Sequence, residues 1–341
     1  MTDITKRFTI QQSKQVPISF WYHFSAVSGV DLDGIKQPEI IDNNVLGTKK
    51  LVEVLSPDFV KLMSDGLFNY DFNHTSSDKK ETIYEDIIPI DENHPWLTKT
   101  FELVTRQKQV IGDRLSFYNI FSPTTLLKWA LVKNEDGSHN KADADQAMAE
   151  AILYDPDGVE SALQVIAQDV AKQVEVAIRA GADGIYYSTQ VIQDDRLSQV
   201  DFKKFVARTD REVLKAADQI KAINILHICG NGEARNSLEW FKDYEVDVVN
   251  WSTNIEHVSL KKGKEIFLNQ VVLGGFGNTK DDVLYNGTKL EIEEYTAQLL
   301  SDSGEENIIL GANCTVPRDI ETEQLQWAIA TVKNQTGVSS L

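Results

Sequence analysis

Eight short apolar runs, mostly β-branched, recur along this 341-residue chain with amphipathic stretches after most of them, and this alternation constrains the fold more than any other feature. The runs are 17–22 (PISFWY), 58–64 (DFVKLMS), 114–120 (RLSFYNI), 183–187 (DGIYY), 223–228 (INILHI), 246–251 (VDVVNW), 270–275 (QVVLGG) and 307–311 (NIILG). Strands that alternate with helices pair in parallel, and eight such units close on themselves, so the expected fold is a single-domain α/β TIM (β/α)8 barrel over 1–341. Helix signals agree with that order. Asp155-Pro156 places a capping carboxylate before a first-turn proline, and Val159, Leu163, Ile166, Val170, Val174, Ala177 and Ile178 follow at helical spacing until Gly181. Ser122-Pro123 and Asn93-His94-Pro95 open two more helices, and a last one covers about 320–332. Residues 1–15 read as an N-terminal extension. The polar segment 66–92 reads as a loop insertion after the second strand, one of several elaborated βα loops, and 134–142, with His139, as a solvated surface turn.

Barrel enzymes carry their chemistry at the C-terminal ends of the strands, which turns the strand list into a list of candidate residues. The fifth run ends in His227-Ile228-Cys229, and Cys314, the only other cysteine, follows the eighth in LGANC. Side chains two apart on a strand share a face, so His227 and Cys229 point the same way. The loops of strands five and eight meet only over the barrel mouth. One imidazole and two thiolates are donors that Zn²⁺ favours, and three protein ligands leave a fourth position for substrate. Buried packing of each residue and a Cys229–Cys314 disulfide are the competing readings.

Hydrophobic residues at 42% and charged residues at 25% suit a packed soluble enzyme and exclude a largely disordered chain. A formal charge of −18 excludes a nucleic-acid partner, which needs a basic stripe. No stretch approaches the ~20 apolar residues of a membrane span, and the N-terminus has no apolar leader core. The expected location is the cytoplasm, where both thiols stay reduced. Oligomeric state is left open, a homodimer being one option.

With strand ends reading LHICGN, VDVVNW, VVLGGFGN and ILGANCTVP, most strongly from Gly181 to Val332, the chain resembles the uroporphyrinogen decarboxylase superfamily. That resemblance implies a TIM barrel and one of two activities: cofactor-free decarboxylation in tetrapyrrole synthesis, or zinc-dependent methyl transfer between a corrinoid and a thiol. The methyltransferase branch is known for a His-x-Cys pair and a distant cysteine as zinc ligands, matched here by His227, Cys229 and Cys314. The decarboxylase branch carries an arginine-rich clamp near its N-terminus. Here no arginine lies between Arg7 and Arg106, so a ligand with eight carboxylates lacks its charge partners. One decarboxylase feature is matched, Ser64-Asp65, where that branch keeps a catalytic aspartate; a turn before Gly66 explains the same residues.

The expected function is therefore transfer of a methyl group from a methylated corrinoid such as methylcobalamin, presented by a corrinoid protein partner, to a small-molecule thiol activated on zinc. Decarboxylation of uroporphyrinogen is the alternative, and a non-catalytic barrel that binds a tetrapyrrole or corrinoid is the third reading. Trp21, Tyr22, His23, Tyr187 and Trp251 are candidate walls for a flat donor, with packing the plainer explanation of aromatic strand ends. His23 is also a candidate acid or contact at the reacting centre. Ser188, Asn231 and Asn278 are candidate polar contacts, Gly274 and Gly275 allow a close backbone approach or a tight turn, and Glu233 is a candidate for the open metal position.

Overall fold

The structure, a computed structural model, describes residues 15–25, 31–72, 83–134, 136–230 and 235–336. Eight strands form one parallel sheet: β1 Ile18–Ser19, β2 Phe59–Leu62, β3 Leu115–Phe121, β4 Gly184–Thr189, β5 Ile223–Ile228, β6 Val248–Trp251, β7 Val271–Phe276 and β8 Ile308–Ala312. Their order is β1-β8-β7-β6-β5-β4-β3-β2, a barrel in which every neighbouring pair forms a backbone ladder except β1 and β2. Each strand expected from the sequence is present, though β1 is shorter than the run 17–22.

At the open seam, one backbone bond and two side-chain bonds stand in for the ladder. The Asp58 N–H donates to Ile18 O (3.2 Å), the Ile18 N–H donates to Asp58 Oδ2 (2.8 Å), and Ser19 Oγ donates to Phe59 O (2.7 Å).

Among the surrounding helices are α1 Glu39–Leu55, α2 Pro95–Ile111, α3 Pro123–Leu131, α4 Ala144–Tyr154, α5 Pro156–Arg179, α6 Arg208–Gln219, α7 Leu260–Ile266, α8 Lys289–Ser303 and α9 Thr322–Thr336. The capping signals act as the sequence implies. Asp155 accepts the Gly158 N–H, Ser122 accepts the Thr125 N–H and His94 accepts the Trp96 N–H, each before a first-turn proline.

Strand alternation divides the core in two. Phe59, Met63, Phe117, Tyr186, Ile223, Ile225, Val248, Val271, Leu273 and Ile309 fill the barrel interior with Trp21, while a larger cluster lies between sheet and helices. Register sets the level of each inward side chain: Ser188 is opposite His227, and His227 is opposite Asn250.

Two loop expectations need correction. The segment 66–92 holds no strand or helix among its described residues, but it is not wholly solvated. Leu67, Phe68, Tyr70, Tyr84 and Ile90 are buried, because apolar residues at both ends of the insertion cover α2 and the barrel rim. His139 is not a surface residue either; its side chain is 1% exposed and its Nδ1 lies 2.9 Å from Asp31 Oδ1. The extension 1–15 lies outside the described residues except for Gln15. Among the described residues no helix is long and apolar enough to cross a membrane.

Candidate metal centre

β5 carries His227 inward, and the Cys229 N–H extends its pairing by donating to Thr189 O at 2.8 Å. β8 delivers Cys314 through Asn313, whose N–H donates to Phe276 O (2.7 Å) and whose Oδ1 accepts the Gly275 N–H (3.0 Å). The donor atoms of His227, Cys229 and Cys314 all lie within 4.8 Å of one another. His227 Nε2 is 3.5 Å from Cys314 Sγ, the separation of adjacent ligands in a tetrahedral zinc site with bonds of about 2.0 and 2.3 Å. No disulfide joins the two cysteines.

The other side of the imidazole fixes its tautomer. Asn250 Nδ2 donates to Leu273 O (2.9 Å) and Ala312 O (3.2 Å), which turns its Oδ1 toward His227 Nδ1 at 2.5 Å. Tyr186 donates its hydroxyl to the same oxygen at 2.6 Å. An amide oxygen only accepts, so Nδ1 carries the proton and Nε2 presents its lone pair to the thiols. A metal-ligating histidine is held in this way, by a hydrogen bond on its far nitrogen. The donor set and the tautomer therefore both fit Zn²⁺.

Charge around the thiols points in the same direction. The Cys229 side chain, by hydrogen bond, holds the Cys314 thiol well below its ordinary range against the cost of burial, and His227 and Lys61 act in the same sense. Lys61 is an inward β2 residue, 6% exposed, with Nζ 3.8 Å from the centre of the Tyr186 ring. Burial pushes its ammonium down to about 8, against the pull of Cys314, Cys229 and Asp65.

The centre opens into a cavity of about 530 Å³. One wall is aromatic: Phe68 and Phe121 meet edge to face at 4.7 Å, as do Phe121 and Trp129. His23, Lys61, Asn119, Lys141, Ser188, Asn278 and Arg318 supply polar lining. His23 Nδ1 lies 2.6 Å from Asp65 Oδ1, and Asp65 Oδ2 accepts the Phe24 N–H at 3.2 Å. Asp65 is 1% exposed and does not line the cavity, so the aspartate expected at the reacting centre acts on it only through His23.

Of the residues expected at the site, the structure brings together His227, Cys229, Cys314, His23, Ser188 and Asn278 around this cavity. Six others belong elsewhere. Tyr187 points out of the barrel and donates its hydroxyl to Asp210 at 2.6 Å. Trp251 also faces the helices, with its indole N–H on Val258 O at 2.9 Å and its ring on Gly263. Trp21 faces inward but is buried in the barrel filling rather than lining the cavity. Gly275 has φ +105, and a Cβ there would meet Leu299 on α8 and Leu260 on α7, so it serves helix packing and not substrate approach. Gly274, φ +142, faces the amides of Asn250 and Asn313. Tyr22 is half-buried against the outer core. Asn231 and Glu233 lie outside the described residues.

The alternation that pairs His227 with Cys229 also exposes these errors. Carried across the register, it selects Ser188 over Tyr187 and Asn250 over Trp251. Tyr186 and Lys61 were the residues missed, and Asn250, a candidate by its place at the end of the sixth strand, was given no role; inward parity was the available signal for all three.

A sequence model described as uroporphyrinogen decarboxylase (URO-D) matches residues 86–335. Among solved structures, a methyltransferase from Methanosarcina mazei superposes with TM-score 0.70 at 18% identity, covering 97% of both chains. A putative vitamin-B12 independent methionine synthase from Listeria monocytogenes gives TM-score 0.58 at 13% identity over 95% of this chain and 99% of that one. A B12-independent methionine synthase from Shewanella sp. W3-18-1 gives 0.54 at 12% over 87% and 89%. No curated protein matches the sequence significantly.

Proposed function

Because this chain belongs to the uroporphyrinogen decarboxylase family, we propose that it is a zinc-dependent methyltransferase moving a methyl group from a methylated corrinoid, or a similar donor, to a small thiol. The observation that carries this reading is the convergence of His227 Nε2 with the sulfurs of Cys229 and Cys314 at the mouth of a cavity. The superposed structures named as a methyltransferase and as methionine synthases are compatible with it. The arginine content of the cavity lining is Arg318 alone among the described residues, a poor match to a ligand with many carboxylates.

His227, Cys229 and Cys314 would hold the zinc. When bound there, zinc supplies a Lewis acid that keeps a substrate thiol deprotonated at neutral pH. The chain's own residues do the rest. Asn250 keeps the His227 lone pair aimed at the thiols. Phe68, Phe121 and Trp129 offer flat apolar surface to the donor and exclude water from one side. Ser188 and Asn278 offer hydrogen bonds to polar substrate atoms. His23, oriented by Asp65, can give or take a proton at the cavity wall. A corrinoid protein is the proposed partner when the donor is protein-borne.

Metal analysis of the purified protein should return about one zinc per chain, and methylcobalamin should be demethylated in the presence of an appropriate thiol. Cys314→Ser should lose both tight zinc and methyl transfer. Release of CO₂ from uroporphyrinogen by metal-free protein would replace this reading with the decarboxylase one.

A further inference from the structure

We propose that the segment 250–256, which supplies no metal ligand, sets the spacing of all three by bracing His227, Cys229 and Cys314 from a single rigid piece of chain, with Thr253, Glu256 and Asn236 as positioning residues. The ligand role of the three donors rests on the zinc reading; the brace itself is read from hydrogen bonds. At the start of the segment, Asn250 holds His227. Beyond β6 the chain makes one helical turn, Thr253–Glu256, capped by Ser252, whose Oγ accepts the Ile255 N–H at 3.4 Å and whose carbonyl accepts the Glu256 N–H at 3.0 Å. The two ends of that turn reach toward different cysteines.

The Thr253 end serves Cys314. Asn313 Nδ2 donates to Thr253 Oγ1 (3.0 Å), so the residue just before Cys314 is fixed to the turn as well as to β7. The Glu256 end serves Cys229 through Asn236, which is buried. The Asn236 backbone N–H donates to Glu256 Oε2 (2.6 Å), and its Nδ2 donates both to Glu256 Oε1 (2.8 Å) and to Cys229 O (2.9 Å). Its Oδ1 accepts the Val191 N–H (2.7 Å), so this one side chain ties together the loops after β4, β5 and β6. Gly230 lies against the same turn: a Cβ there would stand 3.1 Å from both Glu256 Oε1 and Ser252 Cβ. Zinc bonds hold to within about 0.2 Å of their ideal lengths. Two sulfurs on separate loops meet that demand only if the loops do not move against each other, and a shared anchor removes that motion.

The test measures zinc affinity by chelator competition and, on metal-free protein, affinity for phenylarsine oxide, which joins two neighbouring thiols through arsenic with loss of water and needs neither zinc nor histidine. Thr253→Val and Glu256→Ala should each weaken both probes by about 10-fold or more, and Thr253→Ser, which keeps the hydroxyl, should restore them. Tyr244→Phe, which removes a hydrogen bond to Asp210 on the helix side of the sheet, should lower the melting temperature and leave both affinities unchanged. Glu256→Gln keeps one acceptor oxygen; it replaces Glu256→Ala if that variant does not fold, and should show a smaller loss. Wild-type affinities in the Thr253→Val and Glu256→Ala proteins would overturn the brace. Loss from only one end of the turn would overturn its shared character, and an equal loss in Tyr244→Phe would trace the effect to general stability and reject the proposal. If wild type takes up no zinc, the metal reading has failed, and the arsenical alone judges the brace by the same variants.

Discussion

Asn250 is a neutral residue with no chemistry of its own, yet every hydrogen-bonding position of its amide is used, and one of those bonds decides which nitrogen of His227 faces the thiols. Asn250→Ala should therefore lower zinc affinity about 10- to 100-fold, the usual cost of losing such a support. Chelator competition measures it, and unchanged affinity would show that His227 does not depend on this bond. The three donors were legible because cysteines are scarce in this chain and one stands two residues from a histidine at a strand end. The role of Asn250, a candidate only by its strand-end position, was not, since an asparagine among valines looks the same whether it holds a ligand or closes a turn. Tyr187 and Trp251 were misplaced because aromatic character was weighed before strand parity, and parity sends both toward the helices.

At the scale of elements, α2, α3 and α5 were legible at their starts because Ser, His and Asp caps before proline are local signals that tertiary context leaves intact. The widened helical turn Phe202–Ala207 was not. It depends on a remote partner, Thr124 Oγ1, which donates to Phe205 O at 2.8 Å. Next to it, Asp210 on α6 ties that helix to β4 and β6, accepting hydroxyls from Tyr187 and Thr189 on β4 and from Tyr244 ahead of β6. Burial pushes the Asp210 carboxyl up to about 6 in spite of these donors. A carboxyl raised in the folded state binds its proton there more tightly than in the unfolded chain. Its stabilising contribution is complete below pH ~4 and is lost as pH rises through about 6, on the order of 3 kcal/mol in all. Urea midpoints for Asp210→Asn should lack the part of the wild-type decline between pH 4 and 6 that this group causes. Equal slopes in the two proteins would reject that assignment.

For the molecule as a whole, the sequence showed the barrel because eight β-units leave little alternative, but it did not show that the ring is unclosed. That property lies in β1, reduced to Ile18–Ser19, and in the carboxylate that substitutes for its missing neighbour. Asp58→Ala leaves the Ile18 N–H without its acceptor, so stability should fall by about 1–3 kcal/mol. Amide exchange at Ile18 should accelerate well beyond exchange at Ile225 in the middle of β5. Uniform acceleration across all strands would mean that the seam is no weaker than the rest. At one end of this seam stands Asp58, and at the other His23 meets Asp65, so β2 grips β1 by a carboxylate near each end. Such a ring yields like a split washer, widening along one line only. The gap would spread His23 away from Asp65, with Cys314, carried by β8 next to β1, one strand from the split and Cys229, beyond β5, on the far arc.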